Sequence, residues 1–159
     1  GAVGSSAGGH LVQMLGLVPA DAGLEGDGPW QEHSSAVQAV ASFCGVSALA
    51  ALVRASGPDG AGAVREFLAG PEDQLGDRAR RASPMTYVSR QSPPFLLVHG
   101  NKDGVVPYVQ SEALARELTK AGNRDVTLVI VEGAEHNVYG FAQEENAARA
   151  IDFFRRTLL

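Results

Sequence analysis

The sequence predicts an α/β fold: a parallel sheet of about four strands, flanked by helices and interrupted by a short helical insertion. Three observations predict it. Short apolar runs, Val37–Phe43, Pro94–His99 and Val126–Val131, are separated by stretches of helical length. The second and third of these runs end in loops that carry an ionisable side chain, Asp103 and His136. A glycine–serine turn, Gly4-Ser5-Ser6-Ala7-Gly8, stands between the tail of an earlier strand and an apolar helix.

In order along the chain, Gly1-Ala2-Val3 is the strand tail, and Gly8 to Leu17 is mostly apolar or small, as in a helix buried on several sides. Pro19 to Ser35 is a loop rich in Gly, Asp and Pro. Val37–Phe43 is the next buried strand and ends at Cys44-Gly45. From about Ser47 to Arg81 the chain makes an insertion: Ser47–Arg54 and Ala61–Ala69 have helical spacing, and Pro71-Glu72-Asp73 opens a third helix. Ser83-Pro84 closes it. After the strand at 94–99, Pro107–Ala121 is an amphipathic helix with Leu114 and Leu118 on one face, closed by Gly122. Val126–Val131 is β-branched and strand-like, and Phe141–Leu158 is a last helix expected to bury Ala147, Ile151 and Phe154. Strands alternating with helices give parallel pairing through right-handed crossovers, and ligands then bind beyond the carboxyl ends of the strands.

Composition narrows the function classes. A chain of 159 residues, 45% hydrophobic and 19% charged, has the make-up of a globular protein and is long enough to bury roughly 70% of its unfolded surface. A net charge of −5 argues against nucleic acid and anionic membrane surfaces as partners. No stretch is long and apolar enough to span a bilayer. Cys44 is the single cysteine, so no intrachain disulfide forms; it reads as a small buried hydrophobe. The sequence assigns no cellular compartment.

The three loop residues belong to one chemistry. A serine hydroxyl attacks a carbonyl only with a base to take its proton and a carboxylate to hold that base in the right tautomer. Ser6, Asp103 and His136 supply nucleophile, acid and base at the ends of three strands. The turn around Ser6 lifts the hydroxyl out of a strand–helix junction, with small residues two positions either side for close approach. Ala7 then offers its backbone N–H to a developing oxyanion at a helix N-terminus. Among the four histidines, His10 lies on the helix after the turn, His33 in a polar loop and His99 before the acid; only His136 follows Asp103 on a strand-end loop of its own. Glu132 and Glu135 flank His136 and are alternative acids, although their sequence neighbourhood suits solvated loop positions. Trp30, Phe43, Tyr108, Tyr139 and Phe141 are candidates for pocket walls or for ordinary packing. Metal-ligand spacing is absent, and the glycines near the turn do not fit G-x-G-x-x-G, so the reading calls for no metal and no cofactor.

The motifs Ser5-Ser6-Ala7-Gly8-Gly9-His10-Leu11, Ala82-Ser83-Pro84-Met85-Thr86-Tyr87-Val88 and Pro93-Pro94-Phe95-Leu96 with His99-Gly100 and Asp103 resemble the bacterial esterase/lipase branch of the α/β-hydrolases, the BD-FAE-like carboxylesterases in particular. The order Ser…Asp…His is the order of that fold. The resemblance implies a small-molecule ester as substrate, short-chain or carbohydrate-borne, cleaved through an acyl-enzyme. It also implies that the insertion lies over the site as a small cap. One departure is Asn101, where the family often carries an acidic residue. Ala7 stands where relatives of prolyl oligopeptidase usually have an aromatic residue, which counts against the alternative of a serine peptidase.

A complete hydrolase of this kind has strands ahead of the serine turn and a loop giving a second oxyanion N–H, whereas this sequence opens three residues before the turn. Residues 1–159 are therefore expected to form one incomplete α/β-hydrolase domain, its insertion at about 47–81, that requires the missing N-terminal half. A truncated chain without catalysis of its own is the corresponding alternative.

Overall fold

The computed structural model describes residues 1–55, 57–70, 72–138 and 143–159. Four parallel strands, β1 (Ala2–Ser5), β2 (Val40–Phe43), β3 (Phe95–Gly100) and β4 (Val126–Val131), form one sheet in the order β1-β2-β3-β4. The register pairs Val40 with both Ala2 and Phe95, and Phe95 with Val126. Every residue of β2 and β3 is buried, which is why their sequences are continuously apolar rather than alternating. The strand expected over Val37–Phe43 is shorter at its start, although Ala39 O still accepts a bond from Ala2 N at 3.0 Å.

Helices α1 (Ala7–Leu17) and α5 (Val109–Lys120) cover one face of the sheet, and α6 (Gln143–Leu158) covers the other. Period-two alternation in the central strands builds the two cores: Val40, Phe95 and Leu97 pack with Val12, Leu114 and Leu118, whereas Ala41, Phe43, Leu96 and Val98 pack with Ala150 and Phe153. Gly122, at φ +96°, ends α5 in a Schellman turn, its N–H donating to Thr119 O and that of Asn123 to Leu118 O.

The last helix is rotated from the face that its apolar residues suggest. Its buried positions are Asn146, Ala150 and Phe153; Ala147 and Phe154 are half-buried, and Ile151 is 50% exposed. A polar anchor causes the offset: buried Asn146 donates its amide to Val138 O at 2.7 Å and fixes the rotation.

Between β2 and β3 the chain forms α2 (Leu49–Ala55), α3 (Gly57–Leu68) and α4 (Leu75–Arg81) around their own core of Leu49, Leu52, Val64, Leu68 and Ala79. Glu72–Gln74 is a 3-10 turn ahead of α4, and Pro71, read as part of the helix start, lies outside the described residues. The two ends of this segment are tied together by Met85 N to Ser47 O and Leu49 N to Ser83 Oγ, both 3.0 Å. Gln110 on α5 pins the same point, its Oε1 accepting from Ser47 N and Ala48 N at 3.0 and 2.8 Å. No helix among the described residues is long and apolar enough to cross a membrane.

Candidate active site

Ser6 sits between β1 and α1 at φ 54° and ψ −119°, a backbone conformation that L-residues other than glycine avoid. The strain is held by neighbours: Ser6 N donates to Phe43 O at 2.8 Å, and His10 N donates to Ser6 O at 3.0 Å. Although Ser6 occupies the N-cap position of α1, its hydroxyl makes no cap bond. Tight approach at the turn comes from Gly4 and Gly9. A Cβ on Gly4 would stand 2.3 Å from Gly8 O, and one on Gly9 2.8 Å from Gly45 Cα. At Gly8, expected from the spacing to be the second small residue the turn needs, a Cβ would meet nothing within 4 Å. The Gly8 backbone is what Gly4 packs against, and Gly9 is the position where α1 closes on the end of β2.

The Ser6 hydroxyl lies 2.8 Å from His136 Nε2, and His136 Nδ1 lies 2.8 Å from Asp103 Oδ2. A carboxylate accepts, so Nδ1 is the ring nitrogen that bears hydrogen towards Asp103, and in the neutral ring that tautomer leaves Nε2 to accept from the serine O–H. The Asp103 side chain is fully buried, whereas that of His136 is 26% exposed. Asp103 Oδ1 accepts from Val105 N and Val106 N, both at 2.8 Å, which fixes the carboxylate plane. Glu132 and Glu135 are exposed; Glu132 accepts from Asn101 Nδ2 at 2.7 Å, while Asn101 Oδ1 accepts from Gly133 N at 2.8 Å. Asn101 thus joins the acid loop to the base loop, a task for which an acidic residue facing Glu132 would be unsuited.

Ala7 is the first residue of α1, so its N–H has no carbonyl one helical turn back. Both Ser6 and Ala7 border a cavity of about 640 Å³. Its other walls are largely aliphatic: Leu11 of α1, Val46, Leu49 and Leu52, Phe67 of α3, and Val105. None of these was singled out from the sequence. The structure reveals them as apolar side chains left exposed around Ser6, Leu11 at 58% and Phe67 at 61%. Of the aromatic residues considered as walls, Trp30 is exposed, Phe43 is in the core, and Tyr108 is half-buried just before α5, none of them among the cavity's residues; Tyr139 and Phe141 lie outside the described residues. His10 contributes instead: its Nε2–H donates to Ala82 O at 2.8 Å, and its ring meets that of Phe67 edge-on at 6.0 Å.

Cys44 shares this neighbourhood. Its sulfur, an Asp103 oxygen and a His136 nitrogen lie within 4.8 Å of one another. Burial pushes the thiol up to about 11, and it donates to His136 O at 2.9 Å, so it is a neutral donor and not a thiolate ligand.

The family described as BD-FAE matches residues 1–118. A probable carboxylic ester hydrolase of Mycobacterium tuberculosis, LipM, is 29% identical over 154 residues, 95% of this chain and 35% of that protein. A truncated carbohydrate esterase from gut microbiota superposes with a TM-score of 0.84 at 26% identity, over all of this chain and 60% of that one. The butyrate-bound esterase Est2 of Thermogutta terrifontis gives 0.75 at 28% identity, over 98% of this chain and 55% of that one. The chain spans about a third of the length of the curated relatives it matches.

Proposed function

Because the chain belongs to the BD-FAE family of α/β-hydrolase esterases, we propose that it carries the nucleophile, base and acid of a serine carboxylester hydrolase. The observation that carries this reading is the unbroken line from Ser6 Oγ through both nitrogens of His136 to Asp103 Oδ2, each step 2.8 Å. Ser6 attacks the ester carbonyl while His136 Nε2 takes its proton. Asp103 holds the imidazole by its Nδ1–H and stabilises the imidazolium as it forms. The Ala7 N–H stabilises the developing oxyanion, a donor of the kind whose removal costs roughly 10²–10³ in rate. His136 returns the proton to the leaving alcohol, and water, activated by the same base, releases the acid from the acyl-enzyme.

The substrate is a short-chain acyl ester, acyl groups on carbohydrates included. An aliphatic cavity beside Ser6 supports a small apolar acyl group, and the esterases of similar structure support both the short chain and the carbohydrate. The helices α2 to α4 serve as a cap on this cavity, within one α/β-hydrolase domain. Hydrolysis of p-nitrophenyl butyrate, with Ser6→Ala as control, tests the reading. Turnover lost in the variant is expected. Turnover that survives Ser6→Ala, or cleavage of a prolyl peptide amide in preference to the ester, contradicts it.

A further inference from the structure

Asp103 is gripped from two sides, and His136 accounts for one. On the other stands His99, at the end of β3 and fully buried. Its Nε2 lies 3.0 Å from Asp103 Oδ2, the oxygen that His136 also uses, and 2.8 Å from Val106 O. Both neighbours are acceptors, so Nε2 must carry a proton. Its Nδ1 lies 2.7 Å from Ser111 Oγ, a hydroxyl on α5 that is itself fully buried. Burial lowers the proton affinity of the His99 ring below the usual value of 6.5, and the nearby His136 acts in the same direction, against the raising influence of Val106 O and Asp103. A neutral ring with Nε2 protonated leaves Nδ1 as an acceptor, and the Ser111 O–H donates to it. The titratable groups around this pair are Asp103 and His136, with the neutral Cys44 thiol close to both.

We propose that His99 is a positioning residue for the reaction: a neutral imidazole, its tautomer set by the Ser111 hydroxyl, that holds Asp103 Oδ2 and shares its negative charge with His136. This rests on the reading of Ser6, His136 and Asp103 as the reacting set. The role has a chemical consequence. A carboxylate oxygen that gives its charge to two N–H groups draws less strongly on each. Without His99, Oδ2 pulls harder on the His136 Nδ1–H, the imidazolium form is favoured, and the base stays protonated to higher pH.

The test combines a spectrum with a pH profile on the 159-residue chain. Ring-nitrogen NMR of the wild type at pH 7 is expected to show His99 protonated on Nε2 and bare on Nδ1. The rate at which a fluorophosphonate labels Ser6 is then followed against pH. In His99→Met, which fills the space without a donor, the acid limb should move up by about one pH unit, a tenfold change in proton affinity. In His99→Gln, whose amide can still donate to Oδ2, it should stay close to the wild type. A ring protonated on Nδ1, or an acid limb that moves equally in both variants or in neither, overturns the proposal. A wild type that is never labelled removes the triad reading instead, while the spectrum still decides whether His99 is the Nε2–H donor claimed.

Discussion

Gly100 and the Ala134 carbonyl are packed so closely that a Cβ on Gly100 would lie 2.3 Å from the Ala134 oxygen. The contact joins the loop after β3, which carries Asp103, to the loop after β4, which carries His136. Lys102 N donates to the same carbonyl at 2.9 Å, and Asn101 N donates to Val131 O at 3.2 Å. The 2.8 Å contact between acid and base is therefore set by backbone packing on two adjacent parallel strands as well as by the side chains themselves.

From this rigidity follows the expected behaviour of Asp103→Asn. The amide keeps the shape, but whichever way it lies its NH₂ group faces N–H groups it cannot bond, either those of Val105 and Val106 or those of His99 and His136. The His136 ring is then free to turn over to the tautomer that cannot accept from Ser6. Ester turnover is expected to fall by roughly 10³–10⁴ with folding preserved, measured as kcat beside circular dichroism. A fall below tenfold would mean that Asp103 does not set the tautomer.

The turn at Ser6 makes a prediction in which two glycines of one motif behave oppositely. Gly4→Ala drives a methyl into the Gly8 backbone at 2.3 Å, and backbone cannot step aside. Destabilisation at or beyond the roughly 1–3 kcal/mol of an overpacked core is expected. Gly8→Ala meets open space inside a helix and should be neutral or gain about 0.5–1 kcal/mol. Urea denaturation of both variants measures the contrast.

Stability should also fall in mild acid through His99. The ring's folded-state proton affinity is lowered from 6.5, so the unfolded chain takes up a proton that the folded chain resists. The contribution is full above about pH 6.5 and is lost as the pH falls below it. Thermal midpoints should decline from pH 7 to pH 5, and decline less steeply in His99→Gln, where the titrating ring is gone. Parallel curves for the two proteins would contradict the assignment.

Much of this arrangement was legible in the sequence because strand ends are legible. Buried parallel strands are unbroken apolar runs, and whatever polar residue follows them is delivered to one edge of the sheet; Asp103 and His136 are legible that way, and Ser6 through its glycine–serine turn. The supporting part of His99 is not legible in the sequence because it lies inside such a run, where a histidine looks like one more core residue. Its partner Ser111 is twelve residues away on a different element. The rotation of α6 departs from the sequence pattern for a related reason: Asn146 anchors the helix through a buried hydrogen bond, and a polar anchor is invisible to a count of apolar residues. The cavity walls come from α1, α2, α3 and the loop after Asp103 together, a convergence that no local pattern encodes.

The central claim is that His136 and Asp103 turn the Ser6 hydroxyl into a nucleophile. Its most direct test is labelling of the folded chain with a fluorophosphonate, followed by peptide mass spectrometry. One adduct per chain is predicted, on Ser6, absent in His136→Ala. A folded chain that takes no adduct, or takes it on another residue, would contradict the account.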